Sequence, residues 1–585
     1  MKKSIFTFSM MLIMSINIFA QTWQNKIDSR LNIYDGTTEK FEFLVQLTSQ
    51  ADVSQSKFLT DKTAKGKLVM EQLRANAQKT QADIVTILNS RGTPYQDFWV
   101  VNVIWVYGDF DLVKELAQRS EVKQISENSR MKIMEPITPE PSAENLNKNF
   151  EISWGILQMN ANTVWKRGYT GKGVVVGGQD TGYEWEHESL KSKYRGWDGT
   201  NADHNYNWHD AIREFDPKHS LEANPCGLDV DFPCDDHNHG THTMGTMVGG
   251  TENLKIGVAP DATWIGCRNM ERGWGTPQSY LECFQWFLAP TDLNGENPDP
   301  SKAPHVINNS WSCPEIEGCN PNNFDILETA VNHLKSAGIV VVVSAGNAGP
   351  NCETISTPAA IFENSFTIGA LDENETIADF SSRGLVTVDG SNRMKPNVTA
   401  PGVNVKSAIK GGNMYARYSG TSMAGPHVAG VVALLISADP TLAGDVERIE
   451  TLIEQSAINR TTTQDCNGAD GNSVPNFAYG YGTVDALAAL ETLLGETPIP
   501  ANERFSVYPN PTTDLVTFQN IGYEGLLQLQ IFAADGKQII NQTLDYTGGN
   551  KLRTIDLNKY ANGVYYYRLC DESGENCFEG RILKN

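Results

Sequence analysis

Residues 174–182 read VVVGGQDTG. Three branched apolar residues and two glycines carry the chain to Gln179 and Asp180 before Thr181 and Gly182 turn it. An apolar run this short, closed by a turn, predicts a strand buried on both faces, as in a parallel sheet, with Asp180 delivered to its carboxyl end. A lone aspartate at a strand end is most simply a turn former. Its meaning depends on what the rest of the chain supplies.

Two further segments supply it. Residues 239–242, HGTH, place His239 beside a Gly-Thr pair that can open a helix through TMGTMVGG. Residues 420–430, GTSMAGPHVAG, place Ser422 between a Gly-Thr turn and a run of small and apolar residues that predicts a buried helix. A serine at a helix N-terminus lies where backbone N–H groups point at any anion formed beside it. Taken in the order Asp, His, Ser, the three are the parts of an acyl-transfer site: Ser422 as nucleophile, His239 as base, Asp180 to hold the imidazole tautomer. An α/β-hydrolase would run Ser, acid, His around a Gly-x-Ser-x-Gly elbow, whereas here the order is reversed and Ala424 stands in place of the second glycine.

With SAGN at 344–347 between the histidine and serine motifs, these segments resemble the subtilisin-like serine proteases, and within them the bacillopeptidase F-like branch, over roughly residues 154–490. The resemblance implies an α/β fold with a parallel sheet and helices on both faces. It implies catalytic Asp180, His239 and Ser422, and an oxyanion hole formed by the Asn347 amide with the Ser422 N–H. VINNSWS at 306–312 is expected to be a strand whose end, Ser310, Trp311 and Ser312, pairs with the substrate backbone, so that extended polypeptides are bound with little regard to sequence. Ala345 and Gly346 would form the opposite wall of the primary pocket. Ser312 stands where relatives often carry glycine, and Trp311 suits a pocket wall or plain core equally. His242 and His427 are expected to be packed core residues. Catalysis of this kind needs no cofactor. Structural calcium is common among relatives, and Asp229, Asp231, Asp235 and Asp236 crowd one insertion, but no ordered ligand loop is visible and no metal residue is assigned.

The 585 residues suffice for several domains. Lys2 and Lys3 precede an apolar run to Ala20 that is too short to span a membrane and predicts a signal peptide over 1–20, with no transmembrane span in the mature chain. The ten cysteines suit an oxidising compartment. Cys226 with Cys234, Cys313 with Cys319 and Cys570 with Cys577 are close enough for local bridges, while Cys267, Cys283, Cys352 and Cys466 can pair in three ways. Residues 21–150 balance 16 basic against 17 acidic residues, whereas 151–585 carry 29 against 53. So acidic a body argues against nucleic acid as a partner and for solubility outside the cell.

The near-neutral segment 21–149 reads as strand 41–47, helix 57–90, strand 96–107, helix 109–119 and strand 122–126. This order resembles the α+β inhibitory propeptide of the same proteases, an intramolecular inhibitor that leaves its tail in the cleft; 134–149 would be the linker that is cut. A peptidase domain is then expected over 150–495 and a linker over 496–503. Residues 504–585 alternate apolar and polar residues in short strands, predicting a small all-β sandwich. YPNP, the ADGK turn, GVYYYRL and the basic final strand resemble the sorting domain of the type IX secretion system, which implies outer-membrane secretion machinery as a partner and a secreted or cell-surface location. A secreted esterase and an inactive binding protein on the same scaffold are the alternatives. Natural substrate, side-chain preference, processing sites and oligomeric state are not specified by these features.

Overall fold

The computed structural model describes residues 23–133, 136, 150–214, 224–311, 323–466, 469–495, 505–520, 525–547, 552–571 and 577–585. The expected signal peptide and most of the expected cut linker lie outside them, as do Ser312, Cys313 and Cys319.

The N-terminal unit is built from β1 (Phe41–Leu47), α1 (Lys62–Arg91), β2 (Tyr95–Phe98), β3 (Val103–Gly108), α2 (Phe110–Ala117) and β4 (Val122–Glu127), with the antiparallel sheet ordered β2-β3-β1-β4. Two expectations change. The single strand over 96–107 is a hairpin, because residues 99–102 turn away to a partner outside the sheet: the N–H groups of Trp99 and Val100 both donate to Gln285 Oε1, at 2.7 and 3.1 Å. The long helix begins at Lys62 rather than at 57, because the Asp61 carboxylate accepts from Ala64 N at 2.7 Å and caps it. After β4 a short strand, β5 (Met131–Lys132), leaves this unit.

The main body is a seven-stranded sheet in which every pairing is parallel. In chain order its strands are β6 (Val175–Asp180), β7 (Trp208–Asp210), β8 (Thr263–Arg268), β9 (Val306–Asn309), β10 (Val340–Ser344), β11 (Phe366–Leu371) and β12 (Val398–Pro401). In space they are ordered β12-β11-β10-β9-β6-β8-β7. Alternate residues feed two cores. Val176, Val306, Val340 and Val342 pack beneath α3 (His239–Val248) and α6 (Thr421–Ala438), while Ile265, Ile307, Val341 and Val343 pack beneath α4 (Pro277–Leu288) and α5 (Phe324–Ser336). Helices thus cover both faces, as parallel strands require. Gly178 permits the close approach of α3: a Cβ there would stand 2.4 Å from the Tyr183 hydroxyl and 3.2 Å from Met244. α6 is long and apolar enough to cross a membrane, but it is buried in this core.

The C-terminal unit is a sandwich of a three-stranded and a four-stranded antiparallel sheet around Val516, Phe518, Leu529, Ile531, Leu569 and Ile582. Asn510 of YPNP covers the edge of the last strand, donating to Arg581 O at 2.7 Å and accepting from Leu583 N at 2.8 Å, which leaves less of that edge open to foreign strands. The unit meets the main body through Gln519, which is fully buried. Its amide donates to Leu157 O at 2.6 Å and to Asn160 Oδ1 at 3.1 Å, and accepts from Asn162 Nδ2 at 2.9 Å.

Disulfides join Cys226 to Cys234, Cys267 to Cys283, Cys352 to Cys466 and Cys570 to Cys577. Two of the expected local bridges are therefore present, and the four remaining cysteines take one of their three pairings.

Candidate active site

Asp180 ends β6, and its carboxylate is buried. Oδ1 accepts from Thr181 N at 2.8 Å and lies 2.7 Å from His239 Nδ1; Oδ2 lies 2.9 Å from the same nitrogen and 3.3 Å from the Thr243 hydroxyl. The histidine is therefore held from its Nδ1 side. Asp235 holds the turn that brings it there, accepting from Thr181 Oγ1, His237 N and Asn238 N on one oxygen and from Thr241 N and Oγ1 on the other. Asp236 accepts from Arg272 N and lies beside Arg268, and Asp229 pairs with Arg213. Three of the four acids of the insertion are thus engaged while Asp231 is exposed, and no cluster with a metal-binding arrangement exists among the described residues.

Ser422 sits in the first turn of α6 and is 2 % exposed. Its Oγ donates to Ser310 O at 3.3 Å, and the Ser310 hydroxyl donates back to Ser422 O at 3.1 Å. The register of the sheet pairs Asn309 with Gln179, so Ser310 continues β9 at the level of Asp180 on the neighbouring strand. The helices agree with this placement. Both begin at the carboxyl end of the sheet, and a Cβ on Gly430 would meet Met247 O at 3.3 Å, each residue lying eight positions beyond Ser422 and His239 respectively. Ser422 and His239 therefore both lie at the carboxyl end of the sheet, on helices that touch. Nε2 of His239 is buried and has no hydrogen-bond partner.

Asn347 follows β10 with its amide oriented by Thr421. Oδ1 accepts from Thr421 N and from Thr421 Oγ1, both at 2.9 Å, which leaves Nδ2 buried and without a partner. Gly346, at φ 106°, makes the turn in a backbone region that favours glycine, and its N–H donates to Thr421 Oγ1 at 3.1 Å. Two polar hydrogen-bonding nitrogens, Nε2 and Nδ2, are thus buried and idle at one end of the sheet. Burying such groups unpaired is unfavourable unless something else is bound there.

His242 and His427 are both fully buried and differently engaged. His242 Nε2 lies 3.0 Å from Val405 O and its ring stacks on Tyr418, while His427 Nδ1 lies 2.8 Å from Met423 O. Burial lowers them to about 3 and about 4, so both are neutral spacers at ordinary pH. Trp311 is buried and stacked on Tyr280 at 4.0 Å, so its indole packs under α4 rather than facing solvent. Ala345 is buried beside Gly346, and Ser312 lies outside the described residues.

Residues 306–312 did not point to a second edge that the structure provides. β5 of the N-terminal unit adds antiparallel to Trp274–Gly275, pairing Lys132 with Trp274 and Met131 with Gly275, and Ile133 N donates to Gly273 O at 2.6 Å. A two-residue strand carries no periodicity to detect. Only the glycines on either side of Trp274 hint at close backbone approach, and a Cβ on Gly273 would stand 2.7 Å from the Ile133 side chain.

Residues 171–482 match the subtilase family. The chain belongs to that family. Bacillopeptidase F from Bacillus subtilis is 33% identical over 506 residues, covering 81% of this chain and 33% of its own length. Serine protease AprX from the same organism is 34% identical over 280 residues, 43% of this chain and 58% of the relative. Subtilisin E, also from Bacillus subtilis, is 30% identical over 344 residues, 58% of this chain and 71% of the relative. This subtilase thus spans a third of the length of bacillopeptidase F. The solved structure of an epidermin leader peptide processing serine protease from Staphylococcus aureus matches with a TM-score of 0.54 at 17% identity, over 77% of this chain and 99% of that one, which supports the fold alone. Residues 506–579 of the subtilase match a secretion system C-terminal sorting domain, and its presence marks an exported protein.

Proposed function

We propose that this subtilase is a serine endopeptidase acting on extended polypeptides, made as a precursor and exported through type IX machinery to the cell surface or medium. The observation that carries the reading is the site itself: His239 bound to Asp180 through Nδ1 with Nε2 free, Ser422 in the first turn of α6 at the same end of the sheet, and Asn347 Nδ2 held without a partner. For the reaction the Ser422 hydroxyl exchanges Ser310 O, its acceptor at 3.3 Å, for His239 Nε2. As Oγ bonds to the substrate carbonyl carbon, Nε2 takes its proton and Asp180 stabilises the imidazolium. The carbonyl oxygen becomes an oxyanion facing Asn347 Nδ2 and the Ser422 N–H. Nε2 then gives its proton to the leaving amine, the C–N bond breaks, and an acyl-enzyme on Ser422 remains. Water attacks by the same route, returning the proton to Oγ.

The N-terminal unit serves as the intramolecular inhibitor. Its tail already lies as an added strand on Trp274–Gly275, the way an extended peptide binds a sheet edge, and the cut falls in the linker beyond it. Expression of the precursor as wild type and Ser422→Ala tests the reading. Wild type should mature and digest casein, while the variant should remain uncut and inert; normal maturation of the variant would contradict self-processing.

A further inference from the structure

One residue before the tail strand, Arg130 leaves the N-terminal unit and forms an ion pair with Glu214 of the main body. Glu42 of its own unit stands 3.8 Å from the same guanidinium nitrogen. A small cavity beside it is lined by Arg213, Glu271, Trp274 and Gln278. The other charges there are engaged: Arg213 pairs with Asp229 at 2.9 Å and with Glu282, and Glu271 accepts from Asn224 at 2.9 Å and pairs with Arg272 at 3.5 Å. Glu214 is thus the carboxylate that the main body turns toward the tail, and its side chain is 56% exposed. Burial, and then Glu214, push the Glu42 carboxyl up to about 7, as expected of two acids sharing one cation. Glu42 departs with the N-terminal unit; Glu214 stays.

We propose that Glu214 is a specificity determinant of the cleft, forming a subsite for a basic side chain, arginine or lysine, in substrates that add to Trp274–Gly275 in the register of the tail. The residue it selects immediately precedes the one paired with Gly275 and lies three positions before the one that occupies the place of Ile133. In the precursor Arg130 fills this subsite, so the inhibitor is held by the same contact that later sorts substrates. The inference rests on the endopeptidase reading above, and its contact can be tested without turnover.

The test has two arms. Mature enzyme is assayed on quenched peptides copying residues 128–137 with Arg, Ala or Glu at the place of Arg130. Arg should exceed Ala in kcat/KM by about two- to fivefold, the scale of an exposed ion pair, and Glu should fall below Ala. Glu214→Gln should erase the order and Glu214→Arg should reverse it; equal rates for all three peptides, or an order unchanged in Glu214→Gln, would overturn the subsite. In the second arm, full-length Ser422→Ala chain carries Arg130→Glu, Glu214→Arg or both, and hydrogen exchange is read at Trp274–Gly275. Faster exchange in each single variant and restored protection in the double support the contact even if no peptide is cut, an outcome that would sink the endopeptidase reading alone. Exchange unaltered in all three contradicts it.

Discussion

Replacing Asp180 by Asn changes one atom and tests the geometry around His239. Asp180 Oδ1 accepts from Thr181 N at 2.8 Å, so the amide oxygen of the variant should keep that place and turn its NH2 toward the Oδ2 position, 2.9 Å from His239 Nδ1. An NH2 there must donate, which favours Nδ1 as its acceptor and the proton on Nε2, in competition with the amide oxygen at the Oδ1 place, 2.7 Å from the same nitrogen. The nitrogen that should take the Ser422 proton then already carries one. The fold should be unaffected, because the change is isosteric and Thr181 keeps its partner. The loss is wholly one of tautomer and imidazolium stabilisation, and should be about 10⁴ in kcat with little change in KM. The assay is turnover of a fluorogenic peptide by mature enzyme, with thermal melting and fluorophosphonate titration of Ser422 as controls. A well-folded Asp180→Asn enzyme within tenfold of wild type would refute the claim that this carboxylate orients the base.

Other outcomes follow from the same contacts. Asn347→Ala should lower kcat by ~10²–10³, on the scale set by the same change in subtilisin, with KM nearly constant; a KM effect alone would mean the amide binds substrate rather than the oxyanion. Burial pushes Asp236 up to about 7 against the pull of Arg268, so the folded state binds a proton that the unfolded chain releases near 3.8. Stability from this group is present at low pH and lost as pH rises toward 7, and Asp236→Asn should shrink the fall in melting temperature between pH 5 and 7.5. Cys352–Cys466 closes a separation of 114 residues, and its removal by paired Ser substitutions should destabilise the fold by about 4–5 kcal/mol in denaturant melts, less if the unfolded chain keeps structure. Gln519→Ala leaves Leu157 O and the Asn160 and Asn162 amides short of a partner and should loosen the C-terminal unit by about 1–3 kcal/mol, read as faster proteolysis between 495 and 505.

What the sequence disclosed was what local chemistry dictates. Short valine-rich runs ending in polar turns can hardly be anything but strands buried on both faces, so the strands ending at Asp180 and before Asn347 were legible, as was a helix opening at Ser422. Contacts made across the fold were not. The hairpin at 95–108 turns because Gln285, far along the chain, captures two N–H groups, and nothing within 96–107 announces that. Trp311 follows Ser310 directly, yet its ring is drawn inward by Tyr280 and α4, a packing choice invisible from spacing. Thr421 and Asp235 hide for another reason. One looks like part of a glycine turn and the other like one acid among several, and only in three dimensions does Thr421 prove to donate twice to Asn347 while accepting from Gly346, and Asp235 to satisfy several donors at once. The Cys352–Cys466 bridge joins segments that meet only after the sheet has formed.

The account stands on Ser422 as a nucleophile activated by His239. Refolded precursor, as wild type and Ser422→Ala, should be exposed to a fluorophosphonate probe once the N-terminal unit has been removed. Labelling of wild type at Ser422, with casein cleavage, and neither in the variant, is the predicted result. A folded, unit-free wild type that takes no label and cuts nothing would contradict the account and leave a binding protein on a subtilase scaffold.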